Sequence, residues 1–168
     1  LNIRKETAAR TMADQERARN VRITGYGFAI AWCIIFIIFF NFFSRYIAYY
    51  GYNAAAGNWD IIPFITSGFY IWLPVFNAAV IVAIIGNIIL IINDSFYFDN
   101  IVNIVMHIFG VASVATLLAL FPFDFSMLPN ANLNQVIFPA FRIVLIFIIV
   151  GLSIGVLVRF IRVIVKTA

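Results

Sequence analysis

The stretch AWCIIFIIFFNFF, residues 31–43, is apolar at every position except Asn41. Apolar residues continue on both sides, so one run extends from about Tyr26 to Tyr50. A helix rising about 1.5 Å per residue crosses a hydrocarbon core of about 30 Å with that many residues. Three further runs have the same character, at about 69–92, 101–121 and 136–165. The expected fold is therefore all-α: an integral membrane four-helix bundle over residues 26–168, preceded by a short cytoplasmic juxtamembrane helix over 1–25.

Composition agrees with that reading. Of 168 residues, 64% are hydrophobic and 11% charged, with a mean hydropathy of +1.04, whereas soluble domains are about half apolar and a quarter charged. A small soluble fold leaves much of its surface in water and could not hide this much apolar area. The net charge of +4 is spread over the ends of the apolar runs, so it indicates membrane anchoring and no nucleic-acid partner. Cys33 is the sole cysteine, which excludes an intrachain disulfide or a paired-cysteine zinc site.

The first 22 residues carry Arg4, Lys5, Arg10, Arg17, Arg19 and Arg22 against Glu6, Asp14 and Glu16. They have no short apolar stretch or cleavage site of a signal peptide, and the start at Leu1 leaves room for residues upstream. The spacing of Glu6 and Arg10 suits an exposed helical pair. With Arg159, Arg162 and Lys166 at the other terminus, and no Lys or Arg in the two long connections, the positive-inside rule puts both termini in the cytoplasm of a plasma or inner membrane. The sequon Asn93-Asp94-Ser95 would then be unused.

The first connection, 51–68, has Gly, Asn and Pro63 as breakers, yet WDIIPFI is apolar enough to lie on the membrane surface. Tyr46, Tyr49, Tyr50, Tyr52 and Trp59 suit the headgroup layer. Pro63-Phe64 with Leu73-Pro74 faintly resembles Pro122-Phe123 with Leu128-Pro129, a pattern that duplication of a two-span unit would leave.

His107 is the only histidine. Asn87, and the Trp32-Cys33 pair of the first span, fall at a similar depth, and Asn103 lies one turn below His107 on the same face. An imidazole in hydrocarbon needs a partner, so His107 is expected to bond Asn87 across helices. The sharper alternatives are a proton relay or the axial ligand of a pigment metal; the lack of a second histidine excludes only a bis-histidine haem within one chain, and no set of three ligands converges for metal catalysis. Asn41 and Asn77 complete the list of intramembrane amides.

At the outer side, Arg45 and Arg142 face Asp60 and Asp124, the carboxylates of the two connections. Unpaired charge is costly in a membrane, so Asp124 is expected to meet Arg142 or Arg45. At the inner side, Arg159, Arg162 and Lys166 share a helical face beside Asp94 and Asp99, and could pair with them or bind anionic headgroups. Gly151 and Gly155 have GxxxG spacing, while Gly110 opens a small-sided face on the third span. These serve equally for packing within the chain and for a dimer seam.

No nucleotide loop, nucleophile elbow, zinc-helix motif or intramembrane carboxylate pair is present, so no enzyme is indicated. The expectation is a non-catalytic membrane subunit that assembles with copies of itself or with other membrane proteins. No metal or cofactor is predicted, and membrane lipid is the natural companion. An oligomeric channel or small transporter, with its amides and His107 along one route, is the alternative. A pigment- or quinone-binding accessory subunit is the third.

Overall fold

The structure, a computed structural model, describes residues 2–53, 57–93, 95–126 and 131–167, with the side chains of 2–9, 131–134 and 167 outside that description. Helix α1 runs Asn2–Ile38, α2 Gly68–Ile92, α3 Phe96–Leu120 and α4 Ala131–Thr167, with a hairpin of strands β1 (Ala48–Asn53) and β2 (Asn58–Pro63) after α1. All four helices are long and apolar enough to cross a membrane. They pack in chain order, α1 on α2, α2 on α3 and α3 on α4. The start of α1, the end of α2, the start of α3 and the end of α4 lie at one end of the bundle, the termini end. The hairpin strands and residues 121–126 lie at the other, the hairpin end.

The boundary expected near residue 25 is not a structural break. Helix α1 passes through Gly25 and Gly27 without interruption, since an isolated glycine costs a helix only about 1 kcal/mol relative to alanine. The first span also ends earlier than Tyr50. A π-helical turn at Phe39–Phe43 and a 3₁₀ turn at Ser44–Tyr46 close it.

A strand pair comes next, in place of the irregular connection expected from the sequence. Ala48 pairs with Pro63 and Asn53 with Asn58 in an antiparallel register, and Gly57, at φ +68°, supplies the left-handed turn residue. The same tyrosines that suit a headgroup layer also suit a pleated strand: Tyr52 and Trp59 meet across the pair with ring centroids 5.4 Å apart.

The chain then stitches the two connections together. Ile65 bridges Phe123, Thr66 N–H donates to Pro122 O at 3.0 Å, and Asp124 N–H donates to Phe64 O at 2.8 Å. The two similar Pro-Phe segments thus run antiparallel, side by side. Leu128 and Pro129, the rest of the second one, lie outside the described residues.

The third span begins five residues before the expected Ile101. Ser95, in extended conformation, precedes the first turn, and Asp99 N–H donates to Ser95 O. An acidic residue in a first turn complements the helix dipole, so Asp99 sits on a helix and not in a loop.

The tightest packing lies between α2 and its neighbours, around buried Phe69, Trp72 and Leu90. A ladder of rings at four-residue spacing climbs α1 through Phe28, Trp32 and Phe36 to Phe40 in the π-helical turn and continues onto Trp72 and Phe76. Trp72 Nε1 donates to Ser113 O at 3.0 Å, which ties α2 to α3 and satisfies a buried indole.

Candidate functional site

Asp99, Asn103 and His107 follow one another at four-residue intervals, so they form a polar strip on one face of α3. That face meets α4 in an antiparallel register. Asp99 lies opposite Arg159, His107 opposite Gly155 and Gly110 opposite Leu152.

The strip converges on the Asp99 carboxylate. Tyr26 Oη donates to Oδ1 at 3.0 Å from α1, Asn103 Nδ2 donates to the same oxygen at 3.1 Å, and Arg159 Nη1 approaches Oδ2 at 3.4 Å from α4. One carboxylate therefore holds three helices at the termini end. About a quarter of the Arg159 side chain and a third of that of Asp99 remain exposed, so the pair is less costly to form than a fully buried one.

One turn further in, His107 Nδ1 lies 2.6 Å from the Asn103 carbonyl. A carbonyl can only accept, which places the proton on Nδ1 and leaves Nε2 facing α4. Gly155 makes the niche for the ring: a Cβ there would stand 2.9 Å from His107 Cδ2 and 3.1 Å from Nε2. The other glycine of the GxxxG pair differs, because a Cβ at Gly151 would meet nothing within 4 Å.

The expected bond between His107 and Asn87 is not formed. Met106, one position earlier and about 100° round the helix, is the residue that faces α2. Its sulfur lies 3.7 Å from Asn87 Nδ2, and it fills the space over Gly86. Asn87 instead donates to its own helix at Ala83 O. Asn41 and Asn77 form a third, separate group, exchanging two amide hydrogen bonds of 2.9 Å between the π-helical turn and α2. The five amide and imidazole side chains are thus three groups, not one route.

The outer ion pairs are not formed either. Asp124 accepts from the backbone N–H of Ser126 at 2.9 Å, and Asp60 accepts from Asn53 Nδ2 at 3.2 Å. Ser126, through its hydroxyl and then its amide, holds the Asp124 carboxyl below the usual carboxylate range. With both carboxylates engaged locally, the arginines find rings. Arg45 stacks over Tyr46 at 5.0 Å, and Arg142 lies 4.8 Å from the Phe138 centroid and 5.2 Å from that of Phe121. Phe138 is one turn before Arg142 on the same helix, so this contact is available without any tertiary adjustment.

At the termini end, Lys166 Nζ sits 3.7 Å over the Phe96 ring. Arg162 has no ion-pair partner among the described residues, and Asp94 lies outside them. Glu6, expected opposite Arg10, is likewise outside the described side chains. No cluster of three potential metal ligands occurs among the described residues.

The chain matches no protein-family model, no curated protein and no solved structure. Its site must be read from its own geometry. Tyr26 and Trp72 are the contributors that sequence reasoning missed. Each carried a signal, a polar tip on a ring inside an apolar run, because such a tip needs a partner once buried. Asn100 is a further case: its side chain is 2% exposed, its amide donates to Phe96 O, and its Oδ1 has no partner among the described residues.

Proposed function

We propose that this chain is a non-catalytic integral membrane subunit, with both termini cytoplasmic, that assembles with copies of itself or with other membrane proteins. The observation that carries this reading is how unevenly the helices are used. Every donor on the α3 strip is spent inside the chain, while α1 and α4 turn most of their surface outwards. Among the described side chains α1 has no buried residue and α4 has only Leu145. Gly151 adds an open notch on α4 of the kind that lets a second helix approach closely.

The test is gentle purification from the native membrane followed by native mass measurement. Assembly predicts a mass above one chain, and Gly151→Leu should lower the oligomeric fraction without unfolding the chain. A lone, monodisperse monomer would remove the proposal. For orientation, cysteines placed at Asn53 and Ser95 should differ towards an impermeant reagent in intact cells, only the first reacting. The channel alternative needs a shared polar cavity. Since the amides and His107 lie in three separate groups, it is less well supported, and ion flux through liposomes carrying the purified chain would restore it.

A further inference from the structure

A cavity of about 420 Å³ lies between the helices, reached by residues of all four, within the range of about 300–1,000 Å³ typical of ligand sites. One wall is the ring ladder, with Phe36, Phe40, Trp72 and Phe76. Small residues line the rest, Ala79 and Ala83 further along α2 and Gly110 and Ser113 on α3. The lining extends over about 16 Å of α2, from Trp72 to Ala83, at about 1.5 Å per residue. Among the described residues, no charged one lines it.

Its hairpin end carries a cation. Leu145 and Leu117 line the cavity. Arg142 is one turn from Leu145 towards the hairpin end, and Phe121, on which the Arg142 guanidinium stacks, is one turn beyond Leu117. The guanidinium therefore lies about one turn beyond the cavity's lining, on the hairpin side. Side chains on α4 tilt towards its N-terminus, which is the hairpin end, and Arg142 is exposed there with no carboxylate in ion-pairing distance among the described residues.

From this juxtaposition we infer that the cavity is a binding site for an anionic phospholipid of the hairpin-end leaflet, its phosphate on Arg142 and one acyl chain along the ring ladder. An acyl chain gains little by leaving bilayer for a protein groove, because both are apolar. Selectivity must therefore come from the headgroup. Arginine matches a phosphate with paired donors. A net anionic lipid is preferred over a zwitterionic one, whose own cation competes for the phosphate.

The cavity supplies its own reporter in Trp72. The full chain carrying Trp32→Phe and Trp59→Phe, so that Trp72 is the remaining tryptophan, is placed in phosphatidylcholine vesicles. The vesicles hold a minor fraction of lipid brominated on its acyl chains, either phosphatidylglycerol or phosphatidylcholine. Brominated phosphatidylglycerol should quench Trp72 several-fold more strongly. Arg142→Gln should abolish the difference, Arg142→Lys should retain part of it, and Arg45→Gln should leave it intact. Ala83→Leu, which narrows the cavity while leaving Arg142 in place, should reduce quenching by both lipids.

Equal quenching by the two lipids, or a difference that survives Arg142→Gln, overturns the proposal. So does absence of quenching by either lipid, which would mean that protein fills the groove. These readouts do not depend on oligomeric mass, so this site and the proposed subunit role can fail separately.

Discussion

The two ends of the bundle treat their charges in opposite ways. At the termini end one carboxylate, Asp99, gathers Tyr26, Asn103 and Arg159 from three helices. At the hairpin end two carboxylates and two arginines are at hand, yet Asp60 and Asp124 are held by near neighbours in sequence while Arg45 and Arg142 lie on rings. The difference comes from the elements. A carboxylate in the first turn of α3 has its direction fixed by the helix and faces α4, whereas Asp124, in an irregular connection, bonds a nearby backbone amide at small entropic cost, and Asp60, on strand β2, is met by Asn53 of the paired strand β1. Opposite charges at the same end of the bundle thus do not by themselves make a pair.

The sharpest way to break that comparison is Asp99→Ala. It removes the acceptor for three helices at once and leaves Arg159 unpaired in a partly buried position. The expected loss is about 2–4 kcal/mol, since hydrogen bonds to charged groups contribute about 1.5–3 kcal/mol and an orphaned donor adds to the penalty. Thermal or denaturant unfolding in detergent would measure it. Asp99→Asn, which keeps an acceptor oxygen, should lose less than half as much. If Arg142→Gln at the other end costs as much as Asp99→Ala, the contrast drawn between the ends is wrong.

The GxxxG pair repeats the comparison on a smaller scale within one helix. Gly155→Leu drives a side chain into the His107 ring and should cost about 1–3 kcal/mol, the usual range for overpacking. A Cβ at Gly151 would meet nothing within 4 Å, so Gly151→Leu should leave the unfolding midpoint of the isolated chain unchanged. Equal losses at both positions would mean that α4 is rotated relative to the register described.

The spans were legible in the sequence because lipid permits few solutions: uninterrupted apolar runs must satisfy their backbone amides internally, and helices do so. The two charged residues of the Asp99 hub were also visible, since Arg159 and Asp99 stand at the ends of such runs. Partner choice was hidden wherever it depended on rotation about a helix axis. His107 and Met106 differ by one position, and that decides which of them faces Asn87. The hairpin was hidden for another reason. Tyr49, Tyr50, Tyr52 and Trp59 satisfy an interfacial belt and a strand equally well, and the turn near Gly57 lacks the Asn-Gly or Asp-Gly pair that marks a tight two-residue hairpin.

The smallest expected effects lie at the hairpin end. Arg142→Gln removes cation-ring contacts of exposed character, worth about 0.5–1 kcal/mol, and should shift the unfolding midpoint only slightly. Asp124 adds a local pH dependence. Its carboxyl is held below its ordinary value by Ser126, so the folded turn binds its proton less readily than the unfolded chain does. The resulting stabilisation is present above the unfolded carboxylate value of about 4 and is lost as pH falls through the lower folded value. Exchange of the Ser126 amide hydrogen, corrected for intrinsic rate, should therefore speed up below about pH 4, while Asp124→Asn should flatten that dependence. The α3–α4 contact at Asp99 lies at the far end of the bundle. Replacing Asp124 should leave the stability lost on Asp99→Ala unchanged, and a change there would show that the two ends are coupled through the helices.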